Sequence, residues 1–469
     1  MLDSDFKHQR VLFRITFAAC VISALALIWS YRFLPISDYP DVIFEGSVVA
    51  KLLRGLPLAS YSFKHYPVPD SGIVALLGLL DLILTPEASG KIVLSLCVIL
   101  LALSSTYLLR SLRRNADNPL LLIPLLFLLT TFFFWGELAY LFGLSILFLY
   151  CGYLFRRIYR SLPINWWLIA AASLAMFFFH FMPYATALLV TLTVILVESR
   201  TGLLGPFAIS FAPSIATSIW YAVGRSSTKQ TALDWTFWTP HQFAGRWLAA
   251  LSPFPEFLPW LGVQAHSMKA FAILNLIVAI ALTLVIPLCI RAWTNRSTNY
   301  PGVLASAVAC GIAVIAAGYE FEGMVSPGER FIYPALWLGL CWLIAVDLPT
   351  RNSATSRNLT IGLIFLLAVQ IGFMLINVRA VSNDLASLYS KLQSSASRTE
   401  FCDIYETYRQ QSWDKPHRTG LDVLLTNHAS APRLPYYLYL EKQVEAPIFQ
   451  TSILNYTGSA DNEDLCKFQ

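Results

Sequence analysis

The sequence predicts an all-α polytopic membrane protein of about 11 transmembrane helices. It adds juxtamembrane helices in a first outer loop and a small α+β extracytoplasmic C-terminal domain. Three observations lead there. Apolar residues recur in blocks of roughly 15 to 22 separated by short charged segments, the pattern of helices crossing a hydrocarbon layer. Of 469 residues, 56% are hydrophobic and only 13% charged, with a mean hydropathy of +0.59. A soluble domain carries about 25% charged residues to cover its surface. The net charge of +5 sits in small clusters at block ends, where it orients helices; it forms no basic face for nucleic acid.

The first block, roughly 11–34, follows Lys7, Arg10 and Arg14. It is long for a secretory signal and no small-residue cleavage site follows, so it reads as an uncleaved first span. The outer loop 35–86 holds an amphipathic stretch, 42–56. There Val42, Val48, Val49, Leu52, Leu53 and Leu56 share one face, with Asp41, Glu45, Lys51 and Arg54 largely away from it, which suits a helix in the interface plane. Stretch 72–84 is short for a crossing and carries Asp81; it reads as juxtamembrane or re-entrant. Further spans are expected near 87–109, 119–134, 138–155, 165–181, 184–198, 203–222, 270–290, 302–318, 331–347 and 359–378. The pair at 165–198 reads as a hairpin that crosses incompletely.

With the N-terminus in the cytosol, fourteen basic residues fall inside, among them Arg110, Arg113, Arg114, Arg156, Arg157 and Arg160. The short outer turns 135–137 and 182–183 hold none. The positive-inside rule therefore favours eleven spans. Domain 1–378 is then the membrane unit, and 379–469 a polar extracytoplasmic appendage, with a helix near 385–392 and strands near 421–425 and 436–440. Six cysteines lie in apolar blocks as small buried side chains, whereas Cys402 and Cys466 in the tail would form a bridge in an oxidising compartment.

Before the tail, twelve of seventeen acidic residues and four of five histidines fall on the outer side. Longer outer loops account for part of this asymmetry. They do not account for Glu137 in a turn of a few residues, or His180 among Phe177, Phe178, Phe179 and Phe181. The helix interiors are nearly free of charge, unlike those of ion-coupled transporters. The segment Ser37-Asp38-Tyr39-Pro40-Asp41 is the most informative. Its two carboxylates suit a divalent cation such as Mg or Mn, or one suits a general base; equally, Asp41 could cap the following helix. Glu137 reads either as catalytic or acceptor-binding, or as a carboxylate favoured by a helix dipole. His180 reads either as a catalytic group or as an interface histidine satisfied by backbone. Trp235, Trp238, Trp247 and Trp260 could stack on sugars or form an interfacial belt. No zinc-ligand spacing, phosphate loop, dinucleotide fingerprint or nucleophile elbow is present.

These features together resemble the GT-C glycosyltransferases, and more narrowly a group of bacterial polytopic membrane proteins. The resemblance rests on Asp38-Tyr39-Pro40 and the helix after it, the Trp135-to-Leu144 segment, His180 before a short helix, and Glu329-Arg330-Phe331 opening a late span. Where those proteins often have Asn-His after Asp-Tyr-Pro, this chain has Asp41-Val42, so no histidine role carries over there. The resemblance implies a lipid-linked (polyprenyl-phosphate) sugar donor, a glycan, lipid or protein acceptor, and transfer at the outer membrane face of a bacterial inner membrane. Asp38 is then the expected base for an inverting displacement. Arg330 is the expected partner of the leaving phosphate, with Lys64 and His65 as alternates and Glu329 beside it; an ion pair of Arg330 with a carboxylate such as Glu322 is the structural alternative. From other classes, a transporter or flippase for a lipid-linked glycan, an O-antigen polymerase or ligase, and a non-catalytic assembly factor fit the same residues. The outer loop 224–268 is poor in arginine for a polymerase or ligase.

Overall fold

The computed structural model describes residues 2–112, 118–226, 235–254, 256–257, 268–285, 289, 299–321, 324–325, 327–346, 353–395, 400–404, 426–427, 435–442 and 453–456. Helix dominates them. In chain order they are α1 (Leu2–Ser30), α2 (Tyr39–Leu53), α3 (Ser71–Leu80), α4 (Pro86–Leu109), a 3-10 helix (Pro119–Phe127), α5 (Thr131–Trp135), α6 (Leu138–Tyr159), α7 (Trp166–Phe179) and α8 (Phe181–Val197). Then come α9 (Leu204–Ser226), α10 (Pro240–Leu251), α11 (Met268–Thr283), α12 (Pro301–Ala316), α13 (Ile332–Ala345), α14 (Ser353–Ser394) and α15 (Pro435–Lys442).

Five segments among the described residues are long and apolar enough to cross a membrane: Val11–Ser30, Pro86–Leu109, Leu138–Tyr159, Thr201–Arg225 and Ser356–Ser394. Large apolar side chains stay open on their outsides, with Ile22 64%, Ile209 75% and Phe365 69% exposed. Such a surface suits hydrocarbon and would be costly in water. The protein is therefore a helical membrane protein. Shorter apolar helices of 10 to 17 residues fill in between, α3, α7, α8 and α12 among them.

Local chemistry sets the breaks. Thr85 caps α4 by accepting from the Ala88 N–H, with Pro86 at the first helical position. Asn165 caps α7 through the Trp167 and Leu168 amides. His180 adopts an extended conformation that ends α7 and starts α8, giving the expected hairpin.

Four expectations are corrected. The segment 119–134 is not a continuous span: Pro119 and Pro124 hold it as a 3-10 helix followed by the five-residue α5, since a proline inside an α-helix removes a donor and clashes. α2 is not an interfacial helix with one wet face. Asp41 and Glu45 are each only 2% exposed, because α3, α4 and α15 cover it; Phe44 meets Tyr436 at 5.1 Å between ring centroids. The stretch 436–440 is helical, not a strand: Pro435 opens α15 and Tyr436 to Tyr439 are all buried without alternation. Finally, the span near 359–378 runs on without a break as the 42-residue α14, since falling hydropathy after 378 brings no Gly or Pro to stop it. The strand expected at 421–425 and the Cys402–Cys466 bridge lie outside the described residues, because all of 421–425 and Cys466 do.

The strands are small. β1 (Tyr61–Phe63) pairs antiparallel with β7 (Leu454–Tyr456), Tyr61 opposite Tyr456. This ties the first loop to the chain's last described segment, and Arg32, which bonds Glu87 at 2.7 Å and Glu441 at 2.6 Å, ties the end of α1 to α4 and α15. Backbone pairs also join β2 (Trp235–Thr236) to β4 (Glu320–Phe321), β4 to β5 (Met324–Val325), and β3 (Glu256–Phe257) to β6 (Thr426–Asn427).

α2 and α3 pack as a close pair through two glycines. A Cβ on Gly46 would sit 2.6 Å from Leu77 Cβ, and one on Gly78 would sit 2.9 Å from Val49 Cβ. Gly78→Leu is expected to cost about 1–3 kcal/mol by overpacking, read as a lower thermal midpoint of the detergent-purified protein. An unchanged midpoint would mean the two helices do not touch there.

Candidate functional site

Acidic residues stand at the N-cap positions of α2, α3 and α6: Asp38, Asp70 and Glu137. An N-cap aspartate usually accepts from the second or third amide of its own helix. None of these three makes a side-chain cap bond, whereas Thr85, Asn165 and Thr239 do. The Glu137 and Asp70 carboxylates lie instead within the field of Arg330. The Ser37 and Asp38 amides donate to the Phe134 and Trp135 carbonyls at 2.8 and 3.3 Å, which lays the start of α2 against the turn that opens α6. Gly136 makes this possible: it takes φ +88°, and a Cβ there would meet Asp38 Cβ at 2.7 Å.

Glu137, on that turn, receives Arg330 Nη2 at 2.5 Å. Arg330 is 8% exposed and comes from the turn Pro327–Phe331 that precedes α13. Tyr140, one turn into α6, donates its hydroxyl to the Arg330 carbonyl at 2.8 Å and so holds the backbone of the arginine. Glu329, 2% exposed, pairs with Arg246 of α10 at 3.6 Å, and the Arg246 guanidinium lies 4.7 Å over the Trp135 ring. From the other side comes His180, its ring 5.4 Å from that of Tyr140. Its Nδ1 accepts from the Met182 amide at 3.1 Å, so the proton is on Nε2.

Asp70 completes the group. Its Oδ1 lies 4.0 Å from His180 Nδ1; because that nitrogen carries no proton, the contact is not an ion pair. The side chain keeps 42% of its surface accessible, while Oδ1 is closed off with no hydrogen-bond partner. One oxygen of this carboxylate is thus closed off while the rest of the side chain stays partly accessible. Burial pushes Asp70 up to about 7 against the pull of Arg330, with Glu137 adding to the rise. Five helix starts thus meet: α2, α3, α6, α8 and α13. Each brings partial positive charge, a setting that favours anions.

Glu329 is likewise raised to about 7 by burial, opposed by Arg246 and Arg330. The sign follows from proton counting. Between an unfolded value near 4.3 and the folded value, the folded protein holds more protons, so stability falls as pH rises through that window and levels off above it. The thermal midpoint is expected to drop from pH 5 to pH 8. Glu329→Gln should flatten that slope; an equally steep slope in the variant would assign it elsewhere.

The structure therefore brings together Glu137, Glu329, Arg330 and His180, with Asp38 bonded to the same turn. It leaves others apart. Asp41 is buried on α2. Lys64 lies with Glu45 and Arg225, its amide on the Ile453 carbonyl, and His65 is exposed. The helix starts at Tyr39, so Asp38 and not Asp41 occupies the N-cap position. Among the described residues no group of three or more His, Cys, Asp or Glu side chains converges to hold a metal ion. Trp238 and Trp247 are engaged as donors to Val314 O and Thr283 Oγ1. Asp70 and Arg246 are not legible as site residues in the sequence, because both fall in long outer loops, 35–86 and 224–268. The one available hint was Asp70 standing directly before an apolar run.

The opposite end of the bundle gathers the basic turns. Arg160 Nη2 reaches the Ser111 carbonyl at 3.1 Å, and Glu198 accepts from Tyr159 at 2.5 Å and from the Gly302 amide at 2.8 Å. An apolar crevice between α1, the 3-10 helix and α14, lined by Ala24, Leu27, Leu129 and Met374, is separate from the charged cluster. The chain matches no protein-family model and no curated protein.

Proposed function

We propose that this protein is a GT-C-like glycosyltransferase that moves a sugar from a polyprenyl-phosphate donor to an acceptor hydroxyl at the outer membrane face. The observation that carries this reading is the convergence of buried Arg330, Arg246 and five helix starts on one cluster of carboxylates. A lipid phosphate needs positive charge and donors as charge builds on its leaving oxygen. Glu137 holds the Nη2 end of the Arg330 guanidinium, and the helix starts add to its field. An acceptor hydroxyl needs a carboxylate to take its proton while its oxygen attacks the anomeric carbon. Asp38 fills that role, since the chain that holds it is bonded to the turn bearing Glu137. Single displacement inverts the anomeric centre.

In this reading the polypeptide crosses the bilayer about eleven times, with the basic turns in the cytosol and the residues after α14 outside. The gathering of Arg160, Ser111, Tyr159 and Glu198 at one end supports it. The direct test supplies the protein, reconstituted in vesicles, with radiolabelled polyprenyl-phosphate sugars. A new alkali-stable glycosidic bond is expected. Translocation of the donor without bond formation would make the protein a flippase.

A further inference from the structure

We propose that Asp70 meets the leaving phosphate as a carboxylic acid and gives its hydrogen to the oxygen that parts from the sugar. This rests on the transferase reading above. Asp70 occupies the N-cap of a ten-residue helix but makes no capping bond. It holds φ 66°, a left-handed conformation uncommon for a residue with a Cβ. Only the surrounding packing keeps it there, with its carboxyl beside His180 and not bonded to its own helix. Oδ1 is occluded and receives no hydrogen bond. The neighbour at 4.0 Å, His180 Nδ1, already accepts from Met182 and has no proton to offer.

The charged and titratable groups facing Asp70 are Arg330 and Glu137 from the α13 and α6 starts and His180 from α8. The backbone N–H of Phe181 also acts on it, favouring the charged form. An ionised carboxylate here would repel a phosphate held by Arg330; the protonated form donates to it. Burial already places the group near neutrality, and a bound phosphate raises it further. The step balances. The bond from the anomeric carbon to the phosphate oxygen breaks, its electron pair stays with that oxygen, and Asp70 protonates it. The acceptor oxygen bonds the anomeric carbon and passes its proton to Asp38. Water returns the two carboxyls to their starting states after release.

The test measures binding of farnesyl phosphate to the full chain in nanodiscs from pH 6 to 8.5, with inorganic phosphate as a second probe. Relative to Asp70→Asn, which cancels the probe's own ionisation, the wild type is expected to lose about 10- to 30-fold in affinity across that range. An infrared carboxylic-acid band that grows on binding and is missing in Asp70→Asn is the companion readout; should that variant not fold, the ligand-dependent band in the wild type decides. A variant that follows the wild-type pH profile, or no ligand-dependent band, overturns the assignment while leaving the transferase reading intact. Inorganic phosphate binding as tightly as farnesyl phosphate overturns the lipid assignment. Binding with the Asp70 profile but no sugar transfer keeps Asp70 as the phosphate's acid and sinks the transferase. No binding at all removes both.

Discussion

Asp38→Asn is expected to lower sugar transfer by at least about 10²-fold, the usual contribution of a positioned base, with membrane insertion and thermal midpoint unchanged. The structure explains why the two readouts separate. Asp38 stands at an N-cap without a side-chain cap bond, so asparagine removes no helix contact of that kind. The backbone bonds to Phe134 and Trp135 that place α2 are made by amides of the main chain, which the substitution keeps. Asp38→Ala should behave the same way in transfer. Full activity in both variants would leave the site with no base at this position.

Arg330→Met is the variant expected to harm the fold most. Glu137 would lose its countercharge, and Glu329 would keep only Arg246 at 3.6 Å. Removing one partner of a fully buried pair costs about 3–5 kcal/mol, because the remaining charge is stranded; with the Glu137 side chain 27% exposed, the loss here is expected at the low end of that range. Adding Glu137→Gln should recover more than half of that loss, since the stranded charge goes with it. A double-mutant cycle in urea with a coupling energy below about 0.5 kcal/mol would show that the pair does not interact. Arg330→Lys should not restore transfer, because a point ammonium cannot hold Glu137 and a phosphate in one plane.

The membrane class was legible from block length and charge alone, and so were most helix positions, because hydropathy and proline report directly on them. What sequence could not show is how helices are cut and covered. The segment 119–134 is apolar throughout, and only the two prolines hint that it is not an α-helix. Asp41 and Glu45 give α2 an amphipathic stripe, yet α15 lies more than 380 residues away in sequence and buries that stripe. At the site, Glu137 and His180 were legible because each stands alone among apolar neighbours, and Arg330 through the Glu329-Arg330-Phe331 opening of a late span. Their pairing was not: Arg330 meets a carboxylate 193 positions earlier. Asp70 looked like an ordinary loop aspartate. Its significance lies in backbone conformation, which composition does not encode.

The uninterrupted α14 has a mechanical meaning. At 1.5 Å per residue its 42 residues form a rod about 63 Å long, roughly twice the thickness of the hydrocarbon. Near its far end the Tyr389 ring packs tilted against Phe33, 4.7 Å between centroids, so the rod works as a ruler that fixes both the height and the azimuth of its far end. One added residue would swing that end by about 100°, whereas seven would bring it nearly back into phase but about 10 Å farther out. Loops can lengthen over evolution without consequence, but this helix has a counted length.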